Sequence, residues 1–153
     1  MIEIKKILFP CDLTEHTSKI LPYVLSVSEK YNSMIYMLHV VDDISKWCNV
    51  DVPHISANLF LKEVFDCTEQ AMDRLCEEQL QGCSNIQRKI ATGYPATEIL
   101  KAIESEQIDL VIMGTHGRKG LEHIIFGSVA EHVIKKSPVP VLIINPYKVK
   151  QLD

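Results

Sequence analysis

The stretch MGTHGRKGLEHIIFGSVAEHVIKKSPVPVLII, residues 113–144, runs from the end of one apolar segment through a glycine-rich loop into a second apolar segment. Residues 127–137 are predicted to form a helix that ends at Lys135 and Lys136, whose charges favour the negative end of the helix dipole. Residues 139–145, VPVLIIN, are predicted to form a strand. A strand, a crossover helix and a second strand in this order are typical of a parallel βαβ unit.

The same alternation runs through the rest of the chain. The other predicted strands are residues 2–10, 34–41, 86–91 and 110–113, and the other predicted helices are residues 14–31, 59–82 and 95–105. Pro22 lies inside the first helix and predicts either a later start, near Ser18, or a kink. Residues 42–58 lack a clear period and are predicted to form a loop. The pattern predicts one α/β domain, residues 1–153, with a parallel sheet between helices on both faces.

Composition and charge exclude several classes of protein. The chain of 153 residues has the size of one ordinary domain, and its net charge of −4 is not the basic footprint of a nucleic-acid-binding protein. No apolar run approaches the roughly 20 residues that span a bilayer, and the N-terminal run is too short for a signal peptide. The five cysteines form no C-x-x-C pair and the six histidines are scattered, so no disulfide framework or metal site is predicted. We expect a cytoplasmic protein.

The loop after the fourth predicted strand has the composition of a phosphate site. Gly117 and Gly127 allow backbone N–H groups to approach a ligand closely. Ser128 stands at the start of the following helix, whose N-terminus offers unpaired N–H groups and a partial positive charge to an anion. Arg118 and Lys119 add positive charge nearby. The alternative is an ordinary surface turn in which Ser128 is the N-cap of the helix.

Three familiar phosphate and phosphorylation sites do not fit this chain. It contains no G-x-x-x-x-G-K-[ST] P-loop, and no G-x-G-x-x-G follows the first strand as in a dinucleotide-binding fold. A receiver domain needs an acidic cluster, whereas the third strand ends in Ile90-Ala91-Thr92. Parallel α/β sheets bind ligands at the carboxyl ends of their strands, where the strand order reverses. We therefore expect a different kind of site at such a switch point.

Several single residues invite a functional interpretation. Asp12 follows the first strand, where its carboxylate could accept hydrogen bonds from a ribose diol or simply begin the next turn. His39 lies in an apolar strand and is expected to be a hydrogen-bonded core histidine. His116 and His123 could reach a phosphate but are expected to be solvated loop residues. Cys11 is expected to be a small buried hydrophobe.

The glycine-loop residues resemble the signature of nucleotide-binding universal stress proteins. The spacing Gly114-x2-Gly117-x9-Gly127-Ser128 matches the G-2x-G-9x-G-[ST] pattern of that family. The segments KKILFPCDLTEHT, MLHVVD and SPVPVLII resemble its first, second and last strands, so the resemblance covers nearly the whole chain. The family's fold, Rossmann-like and similar to that of the adenine nucleotide alpha hydrolases, is an open parallel five-stranded sheet of order 3-2-1-4-5. This order implies that the Asp12 and Gly114 loops flank one crevice.

The resemblance implies that the ligand is ATP or a related adenine nucleotide, ADP or AMP. Asp12 would hold the ribose, while Pro10 and the backbone of Val40 would flank the adenine. The residues that would line the ribose and the phosphates are Met113, Gly114, Gly117, Arg118, Gly127, Ser128 and Val129. Any Mg²⁺ would be held by phosphates and water rather than by protein ligands. Cys11 departs from the hydroxyl or valine of many relatives, and residues 42–58 match no motif of the family.

The last strand predicts association with a second copy of the chain. In the order 3-2-1-4-5 the segment VPVLII, which begins at Val139 and ends at Ile144, is an apolar sheet edge. Such an edge favours pairing with another chain. Universal stress proteins commonly form homodimers through this strand, so antiparallel pairing about a two-fold axis is expected.

Enzymatic classes fit the sequence less well than nucleotide binding. Phosphoryl transfer needs a placed metal and an oriented nucleophile, and the nearby candidates His116 and Glu122 have no orienting partner in the sequence. A slow ATPase or phosphotransferase stays open as the alternative to a regulatory binding protein. An adenylyl-transfer enzyme would carry a glycine- and serine-rich loop where this chain has PCDLTEHT. An interaction protein with a vestigial site would be expected to lose the glycines.

Overall fold

The computed structural model describes residues 1–43, 54–116 and 126–150 of the chain. Strands and helices alternate along these residues, which confirms the predicted α/β pattern. The elements are β1 (Lys6–Pro10), α1 (Glu15–Tyr31), β2 (Met34–Val41), α2 (His54–Gln79), β3 (Ile86–Thr92), α3 (Pro95–Ser105), β4 (Leu110–Gly114), α4 (Ser128–Lys136) and β5 (Val141–Ile144).

The starts of β1, α1, α2 and β5 differ from the predicted ones, and β5 begins at Val141 rather than at residue 139. β1 begins at Lys6 rather than at residue 2, and the backbone N–H groups of Lys5 and Lys6 donate to the Asp109 carboxylate at 2.8 and 2.9 Å. α1 begins at Glu15 and continues through Pro22, so a start near Ser18 is wrong. α2 begins at His54, inside the segment that was predicted to be a loop up to residue 58. The proline at position 53 directly precedes this helix, where proline is tolerated rather than disruptive.

The five strands form one parallel sheet in the order β3-β2-β1-β4-β5. This confirms the order that the family resemblance implied. The chain moves outward from β1 through β2 to β3, then returns across the sheet through α3 to β4. The charged strand β3 lies at one edge and β5 lies at the other.

Alternate side chains of the central strands enter two apolar cores, one on each face of the sheet. Ile7 and Phe9 of β1 pack on the face that is covered by α1 and α2, while Leu8 packs on the face covered by α3 and α4. All three are at most 1% exposed. Because a strand points successive side chains to opposite faces, an apolar run without alternation is what a sheet covered on both sides requires.

Candidate functional site

The strand order reverses between β1 and β4, which are neighbours in the sheet. From the end of β1 the chain enters α1 on one face, whereas from the end of β4 it leads to α4 on the other face. A crevice at the carboxyl ends of these two strands is the expected ligand position in an open α/β sheet. Asp12 lies two residues after the end of β1, and Gly114 is the last residue of β4, as predicted.

Asp12 organises the turn between β1 and α1. Its Oδ1 accepts hydrogen bonds from the N–H of Thr14 at 2.9 Å, from the Thr14 hydroxyl at 2.6 Å and from the Thr17 hydroxyl at 3.0 Å. Leu13, which lies between Asp12 and Thr14, adopts a left-handed backbone conformation with φ 59°. The interpretation of Asp12 as a turn-forming residue is therefore confirmed. The same bonds fix the carboxylate in position beside the crevice.

Gly114 packs closely against α1. A Cβ atom at this position would stand 2.8 Å from Cδ1 of Ile20, closer than real Cβ contacts come. Ile20 is itself buried in the core beneath α1. The first glycine of the motif thus has a structural reason that is independent of any ligand.

Gly127 closes the base of the loop that joins β4 to α4. Its N–H donates to the carbonyl of Thr115 at 2.7 Å, and its φ and ψ of −70° and 161° are open to any residue. Gly127 is the N-cap of α4 and Ser128 its first residue, so the interpretation of Ser128 as the N-cap is wrong. No side chain caps this helix among the described contacts, and the N–H groups of a first helical turn have no intrahelical acceptors.

Four other residues that were predicted to contact the ligand are buried or half-buried. The Met113 side chain is 5% exposed and packs in the core under α3 and α4. Val40 and Val129 are half-buried and pack against the same core. Pro10 is half-buried at the last position of β1. Gly117 and Arg118, together with His123, lie outside the described residues.

His39 in β2 and His116, two residues after β4, are both buried. His39 is 5% exposed and its Nδ1 lies 2.8 Å from the carbonyl of Cys11, which confirms a hydrogen-bonded core histidine. His116 is 7% exposed, so its interpretation as a solvated loop residue is wrong. Its Nδ1 lies 2.7 Å from the Thr115 hydroxyl, and its ring packs edge-on to that of Tyr147. Tyr147 escaped the sequence interpretation because no motif connects it to a loop thirty residues earlier.

Cys11 is buried in the core on the face covered by α1 and α2, and its thiol is unreactive. It is 9% exposed, as predicted for a buried small hydrophobe. Burial raises the pKa of its thiol to about 12, and the negative charge of Asp12 adds to the shift. The thiol is therefore protonated at neutral pH and is a poor nucleophile.

The described structure has two surface grooves, and the first of them borders the turn at Thr14 and Thr17. One of about 360 Å³ runs between the start of α1 and α2, and one of about 330 Å³ lies between the end of α2 and β3. The switch point between β1 and β4 is identified by the strand order. Within the described ranges no group of three or more His, Cys, Asp or Glu side chains could hold a metal ion. No described helix is long and apolar enough to cross a membrane.

Comparison with known proteins agrees with this topology. Residues 3–145 match the profile of the Universal stress protein family. Universal stress protein MJ0577 of Methanocaldococcus jannaschii is 32% identical over 153 residues, which cover 92% of this chain and 94% of that protein. The solved structure of MJ0577 has a TM-score of 0.82 at 29% identity and covers 99% of this chain and 100% of its own.

Two solved structures of more distant proteins share the fold. A universal stress protein in complex with cAMP has a TM-score of 0.63 at 15% identity, covering 94% of this chain and 98% of its own. The universal stress protein of Archaeoglobus fulgidus in complex with dAMP has a TM-score of 0.56 at 16% identity, covering 95% of this chain and 100% of its own. Profile, curated relative and fold agree over most of the chain, which therefore belongs to the universal stress protein family.

Proposed function

We propose that this protein binds an adenine nucleotide, ATP or its products ADP and AMP, in the crevice between β1 and β4. The observation that carries the proposal is the N-terminus of α4, which opens at the switch point with Gly127 as its N-cap and no described side-chain cap. The first-turn N–H groups of Ser128 and Val129 suit a phosphate oxygen, and the helix dipole favours its negative charge. Gly117 and Arg118 would complete the phosphate contacts.

The ribose and the base are assigned to the opposite side of the crevice. The Asp12 carboxylate is held in one orientation by Thr14 and Thr17, which suits it to accept a bond from a ribose hydroxyl. Pro10 and the backbone of Val40 would flank the adenine. Proteins of the same fold are complexed with cAMP and with dAMP, and both of those ligands are adenine nucleotides.

A regulatory binding role is favoured over rapid turnover. His116, a candidate base for hydrolysis, is buried, with its Nδ1 beside the Thr115 hydroxyl and its ring against Tyr147. A general base must reach the proton that it removes, and this packing holds the imidazole away from solvent. Mg²⁺ would be carried by the phosphates and water. The single-domain organisation and the cytoplasmic location stay predictions from the sequence.

We also propose that the protein is a homodimer that pairs through its last strand, between Val139 and Ile144. β5 lies at the edge of the sheet, and Leu142 is 42% exposed there. An apolar edge strand presents unpaired backbone groups to a second chain. Antiparallel pairing of two β5 strands about a two-fold axis would satisfy those groups.

The experiment that tests nucleotide binding is identification of what the purified protein releases on denaturation. Liquid chromatography and mass spectrometry of the supernatant are expected to recover an adenine nucleotide in near-stoichiometric amount. ATP would indicate slow turnover, whereas ADP or AMP would make hydrolysis the next quantity to time. If nothing is released, calorimetric titration with Mg²⁺ and ATP decides, and absence of binding there contradicts the proposal.

A further inference from the structure

The ring of Tyr147, two residues beyond Asn145, lies between two buried histidines. Its centroid is 4.9 Å from that of His16 and 5.4 Å from that of His116, with interplanar angles of 71° in both cases. Edge-to-face contacts at such distances are the favoured arrangement of aromatic rings. His16 and His116 are 9% and 7% exposed, so both contacts are shielded from water. We call these three residues the histidine–tyrosine cluster.

Each histidine belongs to a different wall of the crevice. His16 lies in the first turn of α1, next to Thr17, whose hydroxyl donates to Asp12 at 3.0 Å. His116 directly follows Thr115, whose carbonyl accepts the Gly127 N–H at 2.7 Å. The first wall would hold the ribose and the second begins the phosphate loop. The Tyr147 ring therefore touches both sides of the proposed nucleotide site from behind.

Tyr147 is itself fixed to the sheet. Its N–H donates to Oδ1 of Asn145 at 3.0 Å, and the Val149 N–H donates to the Asn145 carbonyl at 3.0 Å. Val149 packs against the core beneath α1. One residue before Asn145, the carbonyl of Ile144 accepts the Thr115 N–H at 2.9 Å. The segment after β5 is thus tied to the core, and the last residue of β5 is bonded to the base of the loop.

We propose that Tyr147 is a positioning residue of the nucleotide site, acting through His16 and His116 without touching the ligand. It fixes the distance between the α1 turn that holds Asp12 and the loop base that holds Gly127. A ligand that is held at its ribose by one wall and at its phosphates by the other binds tightly only when that distance is preset. This inference rests on the proposed function.

The test compares Tyr147→Leu, which removes the aromatic ring, with Tyr147→Phe, which keeps both edge-to-face contacts. Tyr23→Phe is the matched control, because it removes a different contact of the C-terminal segment, the 3.3 Å bond from the Tyr23 hydroxyl to the carbonyl of Lys150. Tyr147→Leu is expected to raise the Kd for ATP about tenfold. Tyr147→Phe and Tyr23→Phe are expected to bind as the unaltered protein does. An equal Kd for Tyr147→Leu and Tyr147→Phe overturns the proposal.

Amide hydrogen exchange in the nucleotide-free protein separates positioning from general loss of stability. In Tyr147→Leu the N–H groups of Thr115 and Gly127 are expected to exchange faster, while those of the buried strand residue Phe9 stay protected. Faster exchange everywhere would mean a structural role only, which overturns the proposal. If the unaltered protein binds no nucleotide, the proposed function fails. In that case, faster exchange confined to Thr115 and Gly127 would still support the role of Tyr147 in fixing the spacing. Unchanged exchange would contradict that role as well as the proposed function.

Discussion

Gly114 and Ile20 are in direct steric contact across the interface of β4 with α1. A Cβ atom on Gly114 would lie 2.8 Å from Cδ1 of Ile20, a buried side chain that would have to shift to admit it. A glycine that the motif alone assigned to a phosphate contact is thus explained by helix packing. The two roles are separable, because packing acts on stability and phosphate contact acts on affinity.

The first prediction concerns this contact. Gly114→Ala is expected to lower the free energy of unfolding by about 1–3 kcal/mol, because the added methyl group overpacks the interface. Ile20→Val removes Cδ1 and alone costs about 0.5–1.5 kcal/mol. The double variant is expected to lose less unfolding free energy than the sum of the losses in the two single variants. Urea denaturation of the unaltered protein and the three variants measures these free energies. Simple additivity would show that the methyl group meets something else.

The second prediction concerns Gly127. Because its backbone is ordinary, Gly127→Ala brings no conformational strain, only the loss of about 0.5–1 kcal/mol from a poorer N-cap. Gly127→Ser supplies a good N-cap and is the matched control for helix stability. Both variants are expected to lose ATP binding in calorimetry, as is Gly117→Ala, since a side chain occupies the space of the phosphates. Unchanged affinity in the Gly117 and Gly127 variants would exclude the phosphate site.

The third prediction separates the two roles of Asp12. The unaltered protein is expected to bind ATP about tenfold more tightly than 2′,3′-dideoxy-ATP, because a carboxylate hydrogen bond to ribose is lost in the analogue. Asp12→Asn keeps an acceptor oxygen for Thr14 and Thr17 but is expected to discriminate less between the two nucleotides. Thr17→Val removes only the 3.0 Å bond to Asp12 and is expected to cost about 1 kcal/mol of stability while keeping the discrimination. If Asp12→Asn discriminates as well as the unaltered protein, the ribose role is wrong.

The fourth prediction concerns the edge strand β5. Leu142→Lys places a charge on the exposed edge and is expected to convert a dimer into a monomer in sedimentation velocity. Gln87→Lys places the same charge at an exposed position of β3, the opposite edge, and is expected to leave the dimer intact. A dimer that survives Leu142→Lys would place the interface elsewhere.

The fifth prediction concerns Cys11. With a pKa of about 12 against an ordinary 9.0, its thiol is expected to resist maleimide at pH 8, whereas exposed Cys67 reacts readily. The raised pKa favours the protonated thiol in the folded state, so its contribution to stability is complete below about pH 9 and is lost as the pH rises toward 12. Cys11→Ala is therefore expected to lose less stability than the unaltered protein between these pH values in urea denaturation. Rapid labelling of Cys11 in the folded protein would contradict its burial.

The sequence by itself determined the alternation of strands and helices, because buried apolar runs and helical periodicity are local patterns. It also located the start of α3 at Pro95. Family resemblance supplied the strand order, which local patterns do not contain. The start of α2 at His54 was missed, since a proline before a helix resembles a proline in a loop.

Only the tertiary structure decided which residues meet at the switch point. The packing of Gly114 against Ile20 depends on α1 lying against β4, and His116 packs against Tyr147 from the segment after β5. The contacts of Tyr147 join three segments that are separated by about a hundred and by thirty residues of chain. Sequence periodicity reports which face of an element is buried, but not which distant element covers it, because that pairing is set by the order of strands in the sheet.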